Sequence, residues 1–160
     1  MSAELANYRD LLPRGDADAL HIELADGAIL VAGRYALIMI RDGEVADSAM
    51  WYEVQSARWE GEKQELSVNW VDPARSPLVV HSSHSPMRAF MEDISEKVNC
   101  TQVLVRSIKA PNGAVITAQI RKREDGELFS VLAARGRLDD EAMELAHSLE
   151  QQLRESVGLE

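Results

Sequence analysis

The chain has 160 residues, a formal net charge of −10 and one cysteine. That length suits one domain burying about two-thirds of its unfolded surface without covalent staples, and the lone Cys100 excludes an internal disulfide framework and fits a reducing compartment. The acidic balance argues against nonspecific binding to nucleic acid or to an anionic membrane by the molecule as a whole.

The first residues, MSAELANYRD, carry Glu4 and Asp10 and lack an apolar core of signal-peptide length. The longest apolar run, Ala36 to Ile40, is too short to span a bilayer. A soluble cytoplasmic protein without a membrane span is the expectation. Leu5, Tyr8, Leu11 and Leu12 sit at helical spacing, which predicts a short amphipathic helix ending before Pro13. Arg14-Gly15-Asp16 is read as a turn. Strands are expected over Ala19 to Ala25, Ala28 to Ala32 and Tyr35 to Arg41, separated by Asp26-Gly27 and Gly33-Arg34 and closed by Asp42-Gly43. Three Asp-Gly pairs and one Asn-Gly pair favour an antiparallel meander over a parallel sheet.

Glu44 to Asp72 holds all three tryptophans and reads as two or three adjoining strands. Leu66, Val68 and Trp70 alternate with Ser67 and Asn69, while Ala57 and Trp59 alternate with Ser56, Arg58 and Glu60. Glu60-Gly61-Glu62-Lys63 is the expected turn, so Trp59 and Trp70 should share one buried face. Leu78 to His81 is a last short strand. Ser85 and Pro86 then occupy the N-cap and first position of a helix. Met87, Phe90, Met91, Ile94 and Val98 form its apolar stripe.

Three more strands follow, Thr101 to Ile108, Ala114 to Arg123 and Glu127 to Arg135, joined by Pro111-Asn112-Gly113 and Glu124-Asp125-Gly126. A final helix starts near Asp139, with Leu138 and Met143 as a hydrophobic staple and Gly158 as its stop. The fold class read from this order is α+β. A mostly antiparallel pleckstrin-homology-like roll with an amphipathic helix is followed by a three-strand antiparallel unit and a C-terminal helix. The whole chain, 1–160, is expected to be a single compact domain with sub-units 18–99 and 100–160.

Six or seven short strands closed by a helix look like the pleckstrin-homology-like roll. The stretches RYALIMIRDG, MWYEVQSARWEGEKQELSVNW, FMEDISEKVNCTQVLVRSIKAPNGAVITAQIRKREDGELFSV and GRLDDEAMELAHSLEQQL also resemble small uncharacterised proteins of high-GC Gram-positive bacteria. Neither resemblance implies an enzymatic activity, since the roll hosts unrelated functions.

Candidate chemistry is sparse. His81 and His84, three residues apart, could share a metal, but no cysteine or carboxylate cluster lies nearby in sequence, so no metal and no cofactor are expected. Ser82, Ser83 and Ser85 lack a nucleophile elbow and read as loop and cap residues. Cys100 follows a helix and is expected to be a small buried hydrophobe.

The charge, however, is uneven. Thr101 to Leu138 holds seven basic residues (Arg106, Lys109, Arg121, Lys122, Arg123, Arg135, Arg137) against Glu124, Asp125 and Glu127, a balance of +4 that leaves −14 elsewhere. Along one strand Val115, Thr117, Gln119, Arg121 and Arg123 share a face opposite Ile116, Ala118 and Ile120. The candidate binding residues are therefore Arg106, Arg121, Arg123 and Arg135, on a face able to take a carboxylate, a phosphate or an acidic protein surface. A solvated face, or internal pairing with the acidic final helix, is the competing account. The sequence thus reads as a non-catalytic cytoplasmic binding or protein-interaction module, compatible with homo-oligomerisation and not directed at nucleic acid. The alternative is an enzyme acting on a small anionic substrate through the arginine face with His81 or His84.

Overall fold

The computed structural model describes residues 8–82 and 87–159. These form two compact units, Met1–Asn99 and Cys100–Glu160. The chain is α+β, and every strand pairing is antiparallel.

In the first unit β1 (Leu20–Glu23), β2 (Ile29–Ala32), β3 (Ala36–Arg41) and β4 (Glu44–Met50) form one sheet in that order. A second sheet contains β5 (Val54–Glu60), β6 (Glu65–Trp70) and β7 (Leu78–His81). Helix α1 (Met87–Thr101) follows. Four strands, three strands and an amphipathic helix give the pleckstrin-homology-like roll.

Its core is one cluster fed by alternate residues of both sheets. Leu30, Ala32, Leu37 and Met39 come from the first, Leu66, Val68, Trp70 and Val80 from the second, and Phe90, Ile94 and Val98 from α1. Trp59 packs against the same cluster from β5, so it and Trp70 share the inner face. The other face of β2 and β3 is also dry: Ile29, Val31, Ile38 and Ile40 form a separate buried cluster with Leu12 and Ala19 against it. β2 is therefore buried at all four positions, which explains why ILVA is continuously apolar rather than alternating.

The turns set the registers. Asp26, Asn112 and Asp125 each accept, through a side-chain oxygen, the backbone N–H two residues on, and each precedes a glycine at φ near +90°. These are turns with a left-handed glycine closing the loop. Asp42-Gly43 differs, with both residues at positive φ in a two-residue hairpin between Arg41 and Glu44. Between β5 and β6 the turn spans residues 61–64, one residue later than the expected Glu60 to Lys63, and Gln64 takes a positive φ.

Several expectations change on contact with the structure. Of the predicted first helix, residues 8–12 are described, and Tyr8–Leu11 among them is a 3-10 turn; residues 1–7 lie outside the description. Ser83, His84, Ser85 and Pro86, including the expected cap of α1, lie outside it too. Cys100 is exposed, not buried, because it sits two residues past Val98 and so about 200° around the helix from the apolar stripe.

Asp16 of the Arg-Gly-Asp triplet is buried and faces inward. One of its carboxylate oxygens accepts the Arg34 N–H at 3.1 Å. The other lies where a side chain on Gly33 would project, 2.6 Å from an ideal Cβ. The Gly33 carbonyl in turn accepts the Trp51 indole N–H at 2.8 Å. Trp51 thus belongs to a 3-10 turn, Trp51–Glu53, that ties the β2–β3 connection to the corner between the sheets.

The second unit is one sheet and one helix. β8 (Gln102–Lys109) and β10 (Leu128–Arg135) flank β9 (Val115–Lys122). Helix α2 (Asp140–Ser156) buries Ala142, Ala146, Leu149 and Leu153 against Ile116, Ala118 and Ile120. Asp139 caps it by accepting the Ala142 N–H at 2.8 Å, as its sequence position implied. Leu138 and Met143 both remain more than a third exposed, so the expected staple is only partly covered.

Trp70 is 8% exposed and its indole N–H reaches the Ser76 carbonyl at 2.9 Å. Trp70→Ala should cost about 3–5 kcal/mol, as truncation of a large core aromatic does. Urea unfolding checks this, and a loss below about 1 kcal/mol would show that the ring contributes little to the core.

Candidate functional site

The registers of β8 and β10 against β9 resolve the face opposite α2 into four rows. From one end they are Lys109–Val115–Arg135, then Ser107–Thr117–Ala133, then Val105–Gln119–Val131, and last Gln102–Arg121–Phe129. Adjacent rows are about 7 Å apart and adjacent strands about 5 Å apart. Burial rises along this series. The first two rows are open apart from a half-buried Thr117, whereas Gln119 and Arg121 are buried, Arg121 completely. The face expected to carry its arginines into solvent is thus of two kinds.

At the buried end Arg121 donates to the Gln119 side-chain oxygen at 3.0 Å and to the Thr101 hydroxyl at 2.8 Å. Burial pushes its guanidinium below the ordinary arginine value, because a dry environment penalises the charged form. Arg123, just past β9, lies over the Phe129 ring at 4.5 Å and is half-buried. Both arginines are built into the unit. Arg106 pairs in register with Ala118 and therefore lies on the α2 side of β8, where its edge position leaves it exposed.

At the open end Lys109 and Arg135 flank Val115, two strand spacings or about 10 Å apart. Val115 is 37% exposed and Val105 48%. The hydroxyls of Ser107 and Thr117 bond to each other at 2.8 Å. Gly136, at φ +101°, brings the chain after β10 close to Ala114, and the Asn112 side-chain amide then donates to the Arg137 carbonyl at 2.7 Å. Arg137 is thereby held beside the β8–β9 turn.

Of the four candidate arginines, Arg121 and Arg135 share a face but stand three rows apart, about 20 Å. The cation set at the open end is Lys109, Arg135 and Arg137. Lys109 was recognisable beforehand: the Asn112-Gly113 and Asp125-Gly126 turns fix which residues of β8 and β10 oppose Val115.

Six basic residues of the first unit have carboxylate partners, while Arg14 and Arg34 have none at ion-pair distance among the described residues. Arg41 pairs with Asp26, Arg58 and Lys63 with Glu60, Arg75 with Asp47 and Glu53, Arg88 with Glu92, and Lys97 with Asp93. By contrast, Arg106, Lys109, Lys122, Arg135 and Arg137 have no carboxylate at ion-pair distance among the described residues. The acidic β9–β10 turn, Glu124 to Glu127, lies at the far end of the sheet from Lys109 and Arg135.

His81 belongs to the first unit, where its Nε2 lies 3.3 Å from a Glu65 oxygen. With Asp26, Arg41 and Val79 it lines a groove of about 170 Å³ beside the β1–β2 turn. His84 lies outside the described residues. No three potential metal-ligating side chains cluster among the described residues, and no helix there is long and apolar enough to cross a membrane.

No family model and no curated protein matches the chain. Among solved structures it is similar to the complex of the FERM and C-terminal domains of Drosophila Merlin, with a TM-score of 0.41 and 10% identity. The match covers 50% of this chain and 28% of that one, so this chain spans less than a third of its neighbour's length.

The two ends of the face should respond oppositely to mutation. Arg121→Ala should cost about 2–5 kcal/mol, as removal of a large buried side chain does, and also leaves Gln119 short of a donor. Arg135→Gln should stay within about 0.5 kcal/mol of wild type. Equal, small losses in urea unfolding of both variants would show that Arg121 is not structural.

Proposed function

We propose that this chain is a non-catalytic cytoplasmic binding or protein-interaction module, and that it contacts an acidic partner through the open end of the β8–β10 face. The observation that carries this reading is the row Lys109–Val115–Arg135: two cations without carboxylate partners among the described residues, on either side of an exposed aliphatic residue. Exposed charge of one sign steers and orients an oppositely charged surface, and the valines at the centre supply area to desolvate. The surface is a flat sheet face, which suits a macromolecule more than a small substrate.

The rival reading, an enzyme acting on a small anion, would draw on the groove at Arg41 and His81. There, however, each candidate group already faces a carboxylate: Asp26 lies 2.8 Å from Arg41, and Glu65 lies 3.3 Å from His81. That local neutrality favours the module. A nucleic-acid reading is disfavoured by the net charge of −10 and by the absence of aromatic residues from the open rows.

The test is a pull-down from native-cell lysate with wild type and with Lys109→Gln/Arg135→Gln. Wild type should retain an acidic protein at low salt and release it at high salt, since exposed charges are screened beyond about 8 Å at physiological ionic strength. The double variant should retain at least about tenfold less of it. Equal retention by both proteins would refute the assignment of this surface.

A further inference from the structure

The edge of a sheet invites pairing with another strand, and folds protect their edges by shortness, bulges or charge. Among the described residues, five of the six edge strands carry such a device. β1 and β7 have four residues each. β4, β5 and β8 each break register by one residue and hold charge: Glu44 and Asp47 in β4, Arg58 in β5, Arg106 in β8. β10 is the exception. It runs eight residues in unbroken register against β9 and holds no charge from Leu128 to Ala134. Arg123 donates its N–H to the Glu127 carbonyl at 2.8 Å, so the odd-numbered residues of β10 turn their backbone groups to β9. Those of Leu128, Ser130, Leu132 and Ala134 therefore point away from the sheet. No backbone bond from another element reaches these four among the described residues.

We propose that β10 pairs antiparallel with β10 of a second copy of this chain, joining two three-stranded sheets into one about a two-fold axis. The outward backbone groups lie on even-numbered residues, so the axis passes through a residue position, and two positions overlap nearly the whole strand. Centred on Leu132, Leu128 meets Gly136, whose φ of +101° has already bent the chain out of the strand. Centred on Val131, Leu128 opposes Ala134 and Ser130 opposes Leu132, each pair exchanging two backbone hydrogen bonds. Between these, Val131 meets its own counterpart, Phe129 meets Ala133 and Glu127 meets Arg135, at Cα separations of about 4.5 Å. Large side chains thus face small ones, and each end closes on unlike charges. Within one copy, Glu127 has no cation and Arg135 no carboxylate at ion-pair distance among the described residues. The strand is complementary to itself in this one register, as a contact between identical surfaces requires. The proposal goes beyond the acidic-partner reading: the two share Arg135 alone, and Lys109 and Arg137 keep that row basic.

Sedimentation equilibrium of the untagged full chain over a concentration series tests this. Wild type should form a dimer and go no further, because a two-fold contact closes on itself. Glu127→Arg and Arg135→Glu each set like charges opposite one another at both ends, and each should dimerise at least about tenfold more weakly. The double variant Glu127→Arg/Arg135→Glu should recover wild-type dimerisation. An equimolar mixture of the two single variants should recover it too, as a heterodimer with unlike charges at both ends. Ala134→Pro removes one outward N–H, a change that an edge strand tolerates, and keeps every charge. It should also dimerise at least about tenfold more weakly, through loss of the backbone pairing. Circular dichroism confirms that each variant is folded.

Wild type that stays monomeric at every concentration overturns the proposal. So does a double variant no stronger than the single ones, or an Ala134→Pro protein that dimerises undiminished. The acidic-partner reading fails separately. A monomeric wild type that still loses an acidic protein on Lys109→Gln/Arg135→Gln substitution removes the dimer and leaves the row as a contact surface. A dimer that captures no acidic protein removes the row's role and leaves the dimer.

Discussion

A slip of one residue in either hairpin of β8–β10 would exchange the two faces of that sheet. Ile116, Ala118 and Ile120 would turn to water, and Arg121 and Gln119 would turn under α2. The constraint that prevents this is the pair of turns at Asn112-Gly113 and Asp125-Gly126, each closed by a side-chain oxygen on a backbone N–H and a left-handed glycine. Two turns of a few residues each thus decide which side chains pack and which are displayed. The same device at Asp26-Gly27, with the tighter Asp42-Gly43 hairpin, does this for the first sheet.

Once the register is fixed, one face carries two chemistries. At one end an arginine is buried, its two terminal nitrogens bonded to a glutamine and a threonine while its Nε finds no hydrogen-bond partner among the described residues. A buried charge of this sort is costly and weak as a source of stability, but its geometric demands restrict which packing is acceptable. At the other end, Lys109 and Arg135 are exposed beside valine with no carboxylate at ion-pair distance among the described residues. In a chain that pairs Arg41, Arg58, Lys63, Arg75, Arg88 and Lys97 internally, that contrast is what gives the open end its candidate role.

Much of the fold was legible because period-2 alternation and Asx-Gly turns are local signals. Leu66, Val68 and Trp70 point inward as their spacing implied, and Asp139 caps α2 where the sequence placed it. Illegible were features that depend on residues distant in sequence. Trp51 looked like part of a strand and is a corner residue, because its indole answers a carbonyl eighteen positions earlier. Asp16 closes the turn its sequence implied, its N–H reaching the Pro13 carbonyl, but nothing local announced that its side chain would be a buried acceptor for Arg34. The basic segment was legible as composition but not as a surface. Alternation put Arg121 on the right side of β9, while its burial depends on what surrounds that end of the sheet, which no count of charges reports.

Arg121 and Arg135, on one face of one sheet, are respectively structural and displayed. Solvent exchange of the two guanidinium Nε–H protons, followed by nitrogen-resolved NMR at neutral pH, measures this most directly. The account predicts that the Arg121 proton is slow to exchange with water and gives a resolved, persistent signal, while the Arg135 proton exchanges as fast as that of free arginine. Equal, rapid exchange at both positions would contradict it.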